Sequence, residues 1–393
     1  MMERFSLDKG SLVVDPFSGS GTTLVCAKSK GVQGIALEAN DYFHEAASVK
    51  LEWKIDSQEI VAMLEQVSGI YRRRIAKVNL NNAVGTKAKP GFSEYASKYR
   101  PDMLDVRYMS DHSFSQVQAL SLSLKEIEWP SEKLQRLFGL GLSSILVPCS
   151  NVRYGPGFGV TKKVKVVDVF NIFQRKMSRM ASDLDGSEVR ANRSIKAKVI
   201  LGDAREMSRY IPSSSVDVMI TSPPYPGDHE YTKHSRMELI FGEYAKTLAE
   251  FRTIKKRMLR GSTTNVYRDD DEGSTVQNIK SIASVVKEIE ARLQADGATS
   301  GFEKLYPKLI WEYFGGMYRV FEEASKVLKP GSPFSLLVSD SHAFKMVHIE
   351  TAKILSEVAM AAGFKSFDIE LWQFKNTTSH KYQLFENILT VWN

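Results

Sequence analysis

Two short segments hold residue types that could bind a nucleoside and position an amino group. The first is Asp15-Pro16-Phe17-Ser18-Gly19-Ser20-Gly21-Thr22-Thr23, which connects a predicted strand to a predicted helix. Glycines let the backbone approach a ligand closely, and a helix N-terminus offers unpaired N–H groups. Glu38 ends the next predicted strand, where an acidic side chain can accept hydrogen bonds from both ribose hydroxyls of a nucleoside cofactor. The segment lacks the lysine of a phosphate-binding P-loop, which argues against a nucleotide triphosphatase.

The second segment, Thr221-Ser222-Pro223-Pro224-Tyr225, follows the predicted strand at residues 216–221. In open α/β sheets ligands bind at the carboxyl ends of the strands. Two consecutive prolines make the backbone rigid and remove local N–H donors. We therefore expect a carbonyl of this turn and the Ser222 hydroxyl to accept hydrogen bonds from an amino group, while Tyr225 stacks on a planar base.

The elements that must position these segments alternate between strand and helix, which predicts a mostly parallel α/β sheet. The predicted strands are residues 11–15, 34–38, 198–201, 216–221, 334–338, 367–372 and 384–392. The predicted helices beside them are residues 22–30, 42–53, 204–211, 305–328 and 349–362. The last two strands, joined through a polar segment at 376–381, predict an antiparallel hairpin at the sheet edge. The expected fold is Rossmann-like, with seven strands and an inserted mixed domain.

The rhythm of strands and helices is interrupted between residues 54 and 197, so we predict a catalytic domain split into residues 1–53 and 198–393. A second, partly helical insertion is predicted at about 227–303, and its Arg268–Glu272 run is expected to be solvated. Within the first insertion, residues 60–78 and 131–138 are predicted helices, whereas 87–107 and 151–165 are expected to be loops. Residues 54–198 carry 24 Lys and Arg against 14 Asp and Glu, a net charge of +10 in a chain whose total is +7.

Composition indicates an ordinary soluble globular protein, since 43% of the 393 residues are hydrophobic and 25% are charged. No apolar run is long enough to span a bilayer, and Met1–Lys9 has no signal-peptide pattern. The two cysteines, Cys26 and Cys149, form neither a metal spacing nor a disulfide framework. The expected location is the cytoplasm, and no metal is expected.

These motifs resemble those of the amino-methylating DNA methyltransferases, which make N4-methylcytosine or N6-methyladenine on a class I S-adenosylmethionine-dependent fold. Asp15–Thr23 is similar to the family's cofactor loop, and Glu38 to its ribose-binding acid. Asp203, in Leu201-Gly202-Asp203, resembles the acid beside the adenine amine, and Thr221–Tyr225 resembles the catalytic motif. Residues 228–242 and 327–331 are also family-like. The resemblance covers about residues 9–53 and 198–393.

The resemblance implies a site-specific enzyme that moves a methyl group from S-adenosylmethionine to the exocyclic amine of a flipped base in double-stranded DNA, leaving S-adenosylhomocysteine. Serine before Pro-Pro-Tyr is usual among N4-cytosine enzymes, so cytosine is the favoured target and adenine N6 the near alternative. An RNA base methyltransferase and a non-catalytic binding subunit are further alternatives. A restriction–modification setting with a cognate endonuclease is also implied. The basic insertion is then a candidate for target recognition. Its candidate DNA-binding residues are Arg72, Arg73, Arg74, Arg153, Lys162, Lys163 and Lys165.

Two departures from the family pattern affect the expected pocket. The cofactor motif precedes the catalytic one, and no helix that closes the methionine side of the pocket is evident before the first strand. Another segment, a second copy in a homodimer or a partner chain is expected to supply that cover. Pro148-Cys149 matches the Pro-Cys nucleophile of cytosine C5 enzymes, but no second signature of those enzymes accompanies it. Cys149 is therefore expected to be a small, buried apolar residue. Further candidates for lining the pocket are His229, Tyr231, His234, Asp340, Ser341 and His342.

Overall fold

The computed structural model describes residues 1–393 except 81–89, 155–157, 162–164, 166, 228–229, 298–299, 343 and 377–382. The chain divides into two compact units. The sheet unit comprises Met1–Ala47, Ile195–Tyr231 and Arg252–Asn393, and the helical unit comprises Ser48–Ser194 and Thr232–Phe251. Part of the predicted second insertion therefore belongs to the helical unit. No helix of the described residues is both long enough and apolar enough to cross a bilayer.

Seven strands of the sheet unit form one sheet in the order β5-β2-β1-β6-β7-β9-β8. The strands of the described residues are β1 (Leu12–Asp15), β2 (Gln33–Glu38), β3 (Val152–Tyr154), β4 (Phe158–Val160), β5 (Ala197–Leu201), β6 (Val218–Thr221), β7 (Pro333–Ser339), β8 (Ser366–Asn376) and β9 (Gln383–Trp392). Strands β5, β2, β1, β6 and β7 are parallel, and β9 runs antiparallel to both β7 and β8. The predicted class I methyltransferase fold is confirmed.

Helices cover the sheet and build the helical unit. In the described residues they are α1 (Thr22–Ser29), α2 (Asp41–Lys50), α3 (Ser57–Leu80), α4 (Pro90–Tyr99), α5 (Asp111–Glu126), α6 (Glu132–Ile145), α7 (Val169–Leu184), α8 (Ser187–Ala191), α9 (Tyr231–His234), α10 (Arg236–Phe241), α11 (Leu248–Arg257), α12 (Lys280–Ala295), α13 (Tyr306–Val327) and α14 (Thr351–Ala361). Helix α13 belongs to the core of the sheet unit, where Tyr313, Phe314 and Phe321 are fully buried. Burying aromatic side chains of this size is a major contribution to stability.

Two predicted loops of the helical unit contain regular structure, so these predictions were wrong. Residues 87–107 include α4, and residues 151–165 include the antiparallel pair β3 and β4. Pro90 begins α4 because a proline is tolerated in the first turn of a helix. Phe92 and Ala96, four residues apart, are buried on one face of this helix. Glycine and proline residues in both segments obscured these patterns.

The predicted helix at residues 204–211 is instead a short 3₁₀ helix, Ala204–Arg209, with non-helical backbone angles at Glu206. One local and one tertiary contact hold this shape. The Asp203 carboxylate accepts a hydrogen bond from the Arg205 N–H at 2.9 Å, and the Ser208 N–H donates to the Glu323 carboxylate at 2.8 Å. A second predicted helix, 275–293, begins only at Lys280, after a 3₁₀ turn at Glu272–Val276.

The Arg268–Glu272 run is not simply solvated, contrary to expectation. The Asp270 carboxylate forms two hydrogen bonds of 2.9 Å with the Arg260 guanidinium. Only 8% of the Arg260 side chain and 10% of the Asp270 side chain are exposed. Glu272 forms an ion pair of 2.9 Å with Arg205. A charge run therefore supplies two internal ion pairs, which sequence pattern alone did not indicate.

Replacing Asp270 with alanine is expected to lower the free energy of unfolding by about 3–5 kcal/mol, because the buried Arg260 charge loses its partner. Urea denaturation followed by circular dichroism measures this change. Asp269→Ala is the matched control, since 73% of that neighbouring side chain is exposed, and its effect is expected to stay within about 0.5 kcal/mol. Equal effects of the two substitutions would contradict the prediction.

Candidate active site

The two motif segments lie side by side at one edge of the sheet. Strands β1 and β6 are parallel neighbours, with Val13 opposite Val218 and Val14 opposite Met219. At their carboxyl ends the Thr221 hydroxyl donates a hydrogen bond of 2.6 Å to the Asp15 carboxylate. Residues 206 positions apart in the chain are thereby joined directly. The glycine-rich loop and the Pro-Pro-Tyr turn start from adjacent strand ends.

Asp15 holds the start of the glycine-rich loop. Its buried carboxylate also accepts hydrogen bonds from the Phe17 N–H at 3.0 Å and from the Thr23 side chain. Burial raises the pKa of Asp15, and these hydrogen bonds act in the opposite direction. Asp15 does not line the cavity described below, so its contacts fix the loop from behind.

The loop turns through backbone conformations that favour glycine. Gly19 has φ +51° and Gly21 has φ +88°. A Cβ atom at Gly21 would lie 2.9 Å from the Ala47 Cβ atom, which leaves no room for a side chain. Helix α1 begins at the next residue, Thr22. The Ser18 hydroxyl is buried and has no hydrogen-bond partner in the part of the chain that the structure describes.

Glu38 closes the other side of the loop. One carboxylate oxygen accepts a hydrogen bond from the Gly19 N–H at 2.7 Å, and the other accepts one from the Asn40 N–H at 2.8 Å. Burial raises the pKa of Glu38 to about 7, with a smaller contribution from the charge of Asp15. Each carboxylate oxygen has a second lone pair. The side chain therefore keeps capacity to accept hydrogen bonds from a ligand.

A cavity of about 280 Å³ opens between these segments. Eight of the predicted site residues line it: Pro16, Phe17, Gly19, Ser20, Glu38, Asp203, Ser222 and Pro224. The predicted residues that do not line it are Asp15, Ser18, Gly21, Thr22, Thr23, Pro223 and Tyr225. Both motifs therefore face one shared space, at the sheet edge where ligands bind in open α/β folds.

Sequence reasoning missed part of the lining. Of the additional residues, Tyr231 had been a candidate, whereas the others had not: Ala39, Phe43, Gly202, Ala204, Arg257, Met258 and Leu259. Ala39 and Gly202 could have been found, because each adjoins a predicted site residue. Arg257–Leu259 belong to a charged stretch without a motif, and no spacing signal marked them.

Asp203 reaches the cavity from the end of β5 and is held there by Arg205. The Arg205 guanidinium donates hydrogen bonds to both Asp203 carboxylate oxygens, at 2.5 to 3.1 Å. A further hydrogen bond joins Arg205 to Glu272 at 2.9 Å. These contacts fix the orientation of the Asp203 carboxylate at the cavity.

The Pro-Pro-Tyr turn is tied to the core of the sheet unit. The Tyr313 hydroxyl of α13 donates a hydrogen bond of 2.9 Å to the Pro224 carbonyl. Burial raises the pKa of Tyr313 well above its usual value, so this phenol remains a donor. The Tyr225 hydroxyl lies 3.1 Å from the Ser222 hydroxyl and 3.5 Å from the Leu337 carbonyl oxygen. The turn is therefore held on both sides of Pro224.

The other candidates lie outside the cavity lining. Asp340 contacts the His348 Nε2 atom at 2.9 Å, and the rings of His342 and His348 stack with centroids 4.6 Å apart. Ser341 and His234 do not line the cavity either, and His229 lies outside the described residues. Cys149 is buried, and burial raises its pKa to about 12, whereas a nucleophilic thiol requires a lowered pKa.

The helical unit contains a separate groove of about 490 Å³ between α3 and α4. Arg73 and Arg74 line it, and so do Lys77, Lys98, Tyr95 and Tyr99. Arg74 forms an ion pair with Glu126, whereas the structure gives Arg73, Lys77 and Lys98 no ion pair within its described residues. Of the other predicted DNA-binding residues, Arg72, Arg153 and Lys165 lie outside the groove, and Lys162 and Lys163 lie outside the described residues.

The sheet order, with antiparallel β9 between β7 and β8, is that of a class I methyltransferase fold, and the cavity lies at the ends of β1, β2, β5 and β6. The DNA methylase family N6_N4_Mtase matches residues 3–49. That match contains the glycine-rich loop and Glu38. No solved structure matches the chain.

Curated relatives extend this similarity. The Type II methyltransferase M.BsoBI of Geobacillus stearothermophilus is 21% identical over 425 aligned residues, which cover 100% of this chain and 82% of that protein. The Type II methyltransferase M.AvaI, from Nostoc sp. and from Anabaena variabilis, is 29% identical over 158 residues, which cover 38% of this chain and 30% of that protein. The family model and these relatives support the predicted resemblance to the amino-methylating DNA methyltransferases.

Proposed function

We propose that this chain transfers a methyl group from S-adenosylmethionine to the exocyclic amine of a flipped base in a specific double-stranded DNA sequence. Cytosine N4 is the favoured target, and adenine N6 is the alternative. One observation carries the proposal. The Thr221–Asp15 hydrogen bond and the cavity shared by Gly19 and Pro224 bring the two motifs together.

The residues around the cavity fit a nucleoside cofactor. Glu38 offers acceptors for the ribose hydroxyls, and Asp203 offers an acceptor for an adenine amine. The buried Nε atom of Arg257, a residue of the cavity lining, has no hydrogen-bond partner in the described chain, and a ligand can supply one. When bound, S-adenosylmethionine supplies an electrophilic methyl group on a sulfonium centre.

The chain's own contribution is positioning and hydrogen bonding. The Pro224 carbonyl is already bonded to Tyr313, so the Ser222 hydroxyl and the Pro223 carbonyl are the proposed acceptors for the target amine. Hydrogen bonds to that nitrogen strengthen as it becomes cationic, which lowers the barrier. An amine inside a duplex cannot reach the cavity, so the base must be extruded and stacked, here on Tyr225.

Methylation mapping of DNA from cells that express the chain, with nucleoside mass spectrometry, tests the proposal. N4-methylcytosine or N6-methyladenine at a fixed sequence is expected, and a Pro224→Ala variant is expected to leave that sequence largely unmodified. 5-Methylcytosine as the sole product would refute both targets. Methyl incorporation into RNA alone would favour the RNA alternative. A chain that binds no S-adenosylhomocysteine, even with DNA present, would favour a non-catalytic subunit.

The Type II names of the relatives support a restriction–modification setting, and a cognate endonuclease is part of this proposal. A cleavage assay tests it directly. DNA from cells that express the chain is expected to resist an endonuclease encoded beside it, whereas DNA from cells with the Pro224→Ala variant is expected to be cut. Equal cleavage of both DNAs would refute this pairing.

Tyr313→Phe is expected to lower the single-turnover rate of methyl transfer by about 3–10-fold, because the Pro224 carbonyl loses a hydrogen bond worth about 0.5–1.5 kcal/mol. The affinity for S-adenosylhomocysteine is expected to stay unchanged, which separates a positioning role from general loss of structure. Tyr306→Phe, on the same helix, is the matched control. A rate equal to that of the control would contradict the prediction.

We propose that the helical unit recognises the target and that its groove contacts DNA phosphates. The first segment of this unit, Ser48–Ser194, has nearly the same bounds as the predicted inserted domain at residues 54–197. The double variant Arg73→Gln and Lys77→Gln is expected to lower the slope of log affinity against log salt by about 2, because each cation displaces about 0.9 counterion. Fluorescence anisotropy at several salt concentrations measures this slope. Arg190→Gln is the control, since Arg190 is already paired with Asp185. An unchanged slope would refute this use of the groove.

A further inference from the structure

The segment of residues 256–261 runs along the cavity from the end of α11 to the catalytic turn. Arg257, Met258 and Leu259 line the cavity. At the other end, the Gly261 carbonyl accepts a hydrogen bond of 3.0 Å from the Gly227 N–H. A Cβ atom at Gly261 would lie 3.3 Å from the Tyr225 carbonyl oxygen. The 256–261 segment thus borders both the proposed cofactor cavity and the Pro-Pro-Tyr turn.

Side chains fix the backbone of this segment. Arg260 donates hydrogen bonds to the carbonyls of Lys256 at 3.1 Å and Met258 at 2.7 Å, while Asp270 binds the same guanidinium. The Asn265 side chain donates to the Leu259 carbonyl at 3.2 Å. Three carbonyls of the segment are thus held by side-chain donors, and a wall preformed in this way needs little further ordering when a ligand binds.

The segment is anchored to the ends of β2 and β5. The Arg257 guanidinium forms an ion pair with Asp41. Asp41 is the first residue of α2, three positions after the end of β2 at Glu38. Arg205, which follows β5, approaches the Lys256 and Arg257 carbonyls at 3.4 Å. Glu38 ends β2 and Asp203 follows β5. Strand β6, with the catalytic turn, lies on the opposite side of β1 from these strands.

We infer that Arg257, Met258 and Leu259 cover the nucleoside half of the bound cofactor. Met258 and Leu259 provide apolar contact with the adenosine group, and Arg257 ties this wall to Asp41. This assigns one cover of the pocket to a segment inside the second insertion, downstream of the catalytic motif. The inference rests on the proposed function, because it assigns these residues to one half of the proposed cofactor.

Calorimetric titration with S-adenosylhomocysteine and with adenosine tests the assignment in the full chain. Met258→Ala is expected to weaken both ligands by about tenfold, since it removes apolar contact with the group that they share. Arg257→Gln is expected to weaken both by about fivefold through loss of the Asp41 tie. Lys287→Gln is the control, because it removes an exposed cation of α12 outside the cavity lining, and it is expected to change neither affinity.

Unchanged affinities in both variants would overturn the inference, and the proposed function would survive if Glu38→Ala still abolished binding. A loss confined to S-adenosylhomocysteine, with adenosine unaffected, would also overturn it, since the segment would then cover the amino-acid half. Wild-type protein that binds neither ligand, with or without duplex DNA, would refute the proposed function itself. Urea denaturation of each variant shows whether the fold is retained.

Discussion

Glu38→Ala should weaken the affinity for S-adenosylhomocysteine by at least about 100-fold, because hydrogen bonds to a charged acceptor contribute about 1.5–3 kcal/mol each. Two ribose hydroxyls lose their acceptor, and the Gly19 N–H, now bonded at 2.7 Å, loses its partner as well. Calorimetric titration measures the affinity. Glu290→Ala, on the exposed face of α12, is the control. A loss below tenfold would contradict the proposed ribose contact.

The same carboxylate gives cofactor binding a pH dependence. Burial raises the pKa of Glu38 to about 7 from an ordinary value of 4.5, so the neutral acid accumulates as the pH falls below about 7. The neutral form has fewer acceptors for hydroxyl donors. Affinity is therefore expected to rise with pH through this range and to level off above it. Glu38→Gln is expected to bind weakly and without that slope, and a flat wild-type profile would contradict the assignment.

Tyr225→Ala should lower the single-turnover rate of methyl transfer by about 100-fold, since stacking on an extruded base contributes about 1–3 kcal/mol and the contact with Ser222 is lost as well. The affinity for S-adenosylhomocysteine should not change, because Tyr225 does not line the cavity. Tyr225→Phe keeps the ring and is expected to retain most of the rate.

Base extrusion can be measured separately once the target sequence is mapped. A duplex with 2-aminopurine at the target position is expected to become more fluorescent with wild-type protein and with Tyr225→Phe, and less so with Tyr225→Ala. Equal fluorescence in all three complexes would show that the ring does not hold the extruded base. Equal rates for the alanine and phenylalanine variants would likewise argue against stacking on Tyr225.

The sheet could be predicted from sequence because its signals are local. Strand β6 is buried at every residue and β1 at three of its four residues, so both strands are largely apolar in sequence. Each motif follows its strand directly. Gly21 has a positive φ, which the turn itself requires, and it packs closely against Ala47 of α2. Residue type and spacing were therefore sufficient to place each motif at the carboxyl end of its strand.

Other parts of the site depend on the path of the chain, which local patterns do not record. Arg257 meets Asp41 across 216 residues, and Tyr313 meets Pro224 across 89. Asp270 belongs to a charge run of the kind that is usually solvated, and only its contact with Arg260 makes it internal. Helix α4 was missed because its apolar face is short and follows a proline. These features arise from tertiary contacts rather than from periodicity.

The pairing of β1 with β6 makes the spacing of the two motif segments independent of the chain between them. Neighbouring strands lie about 4.8 Å apart whatever the length of chain between them. The spacing of the glycine-rich loop and the Pro-Pro-Tyr turn is consequently set by one hydrogen-bonded ladder, although the Asp15–Thr221 contact spans 206 positions of sequence. A change in the length of the helical unit between Ser48 and Ser194 is therefore expected to leave the spacing of these two segments unchanged.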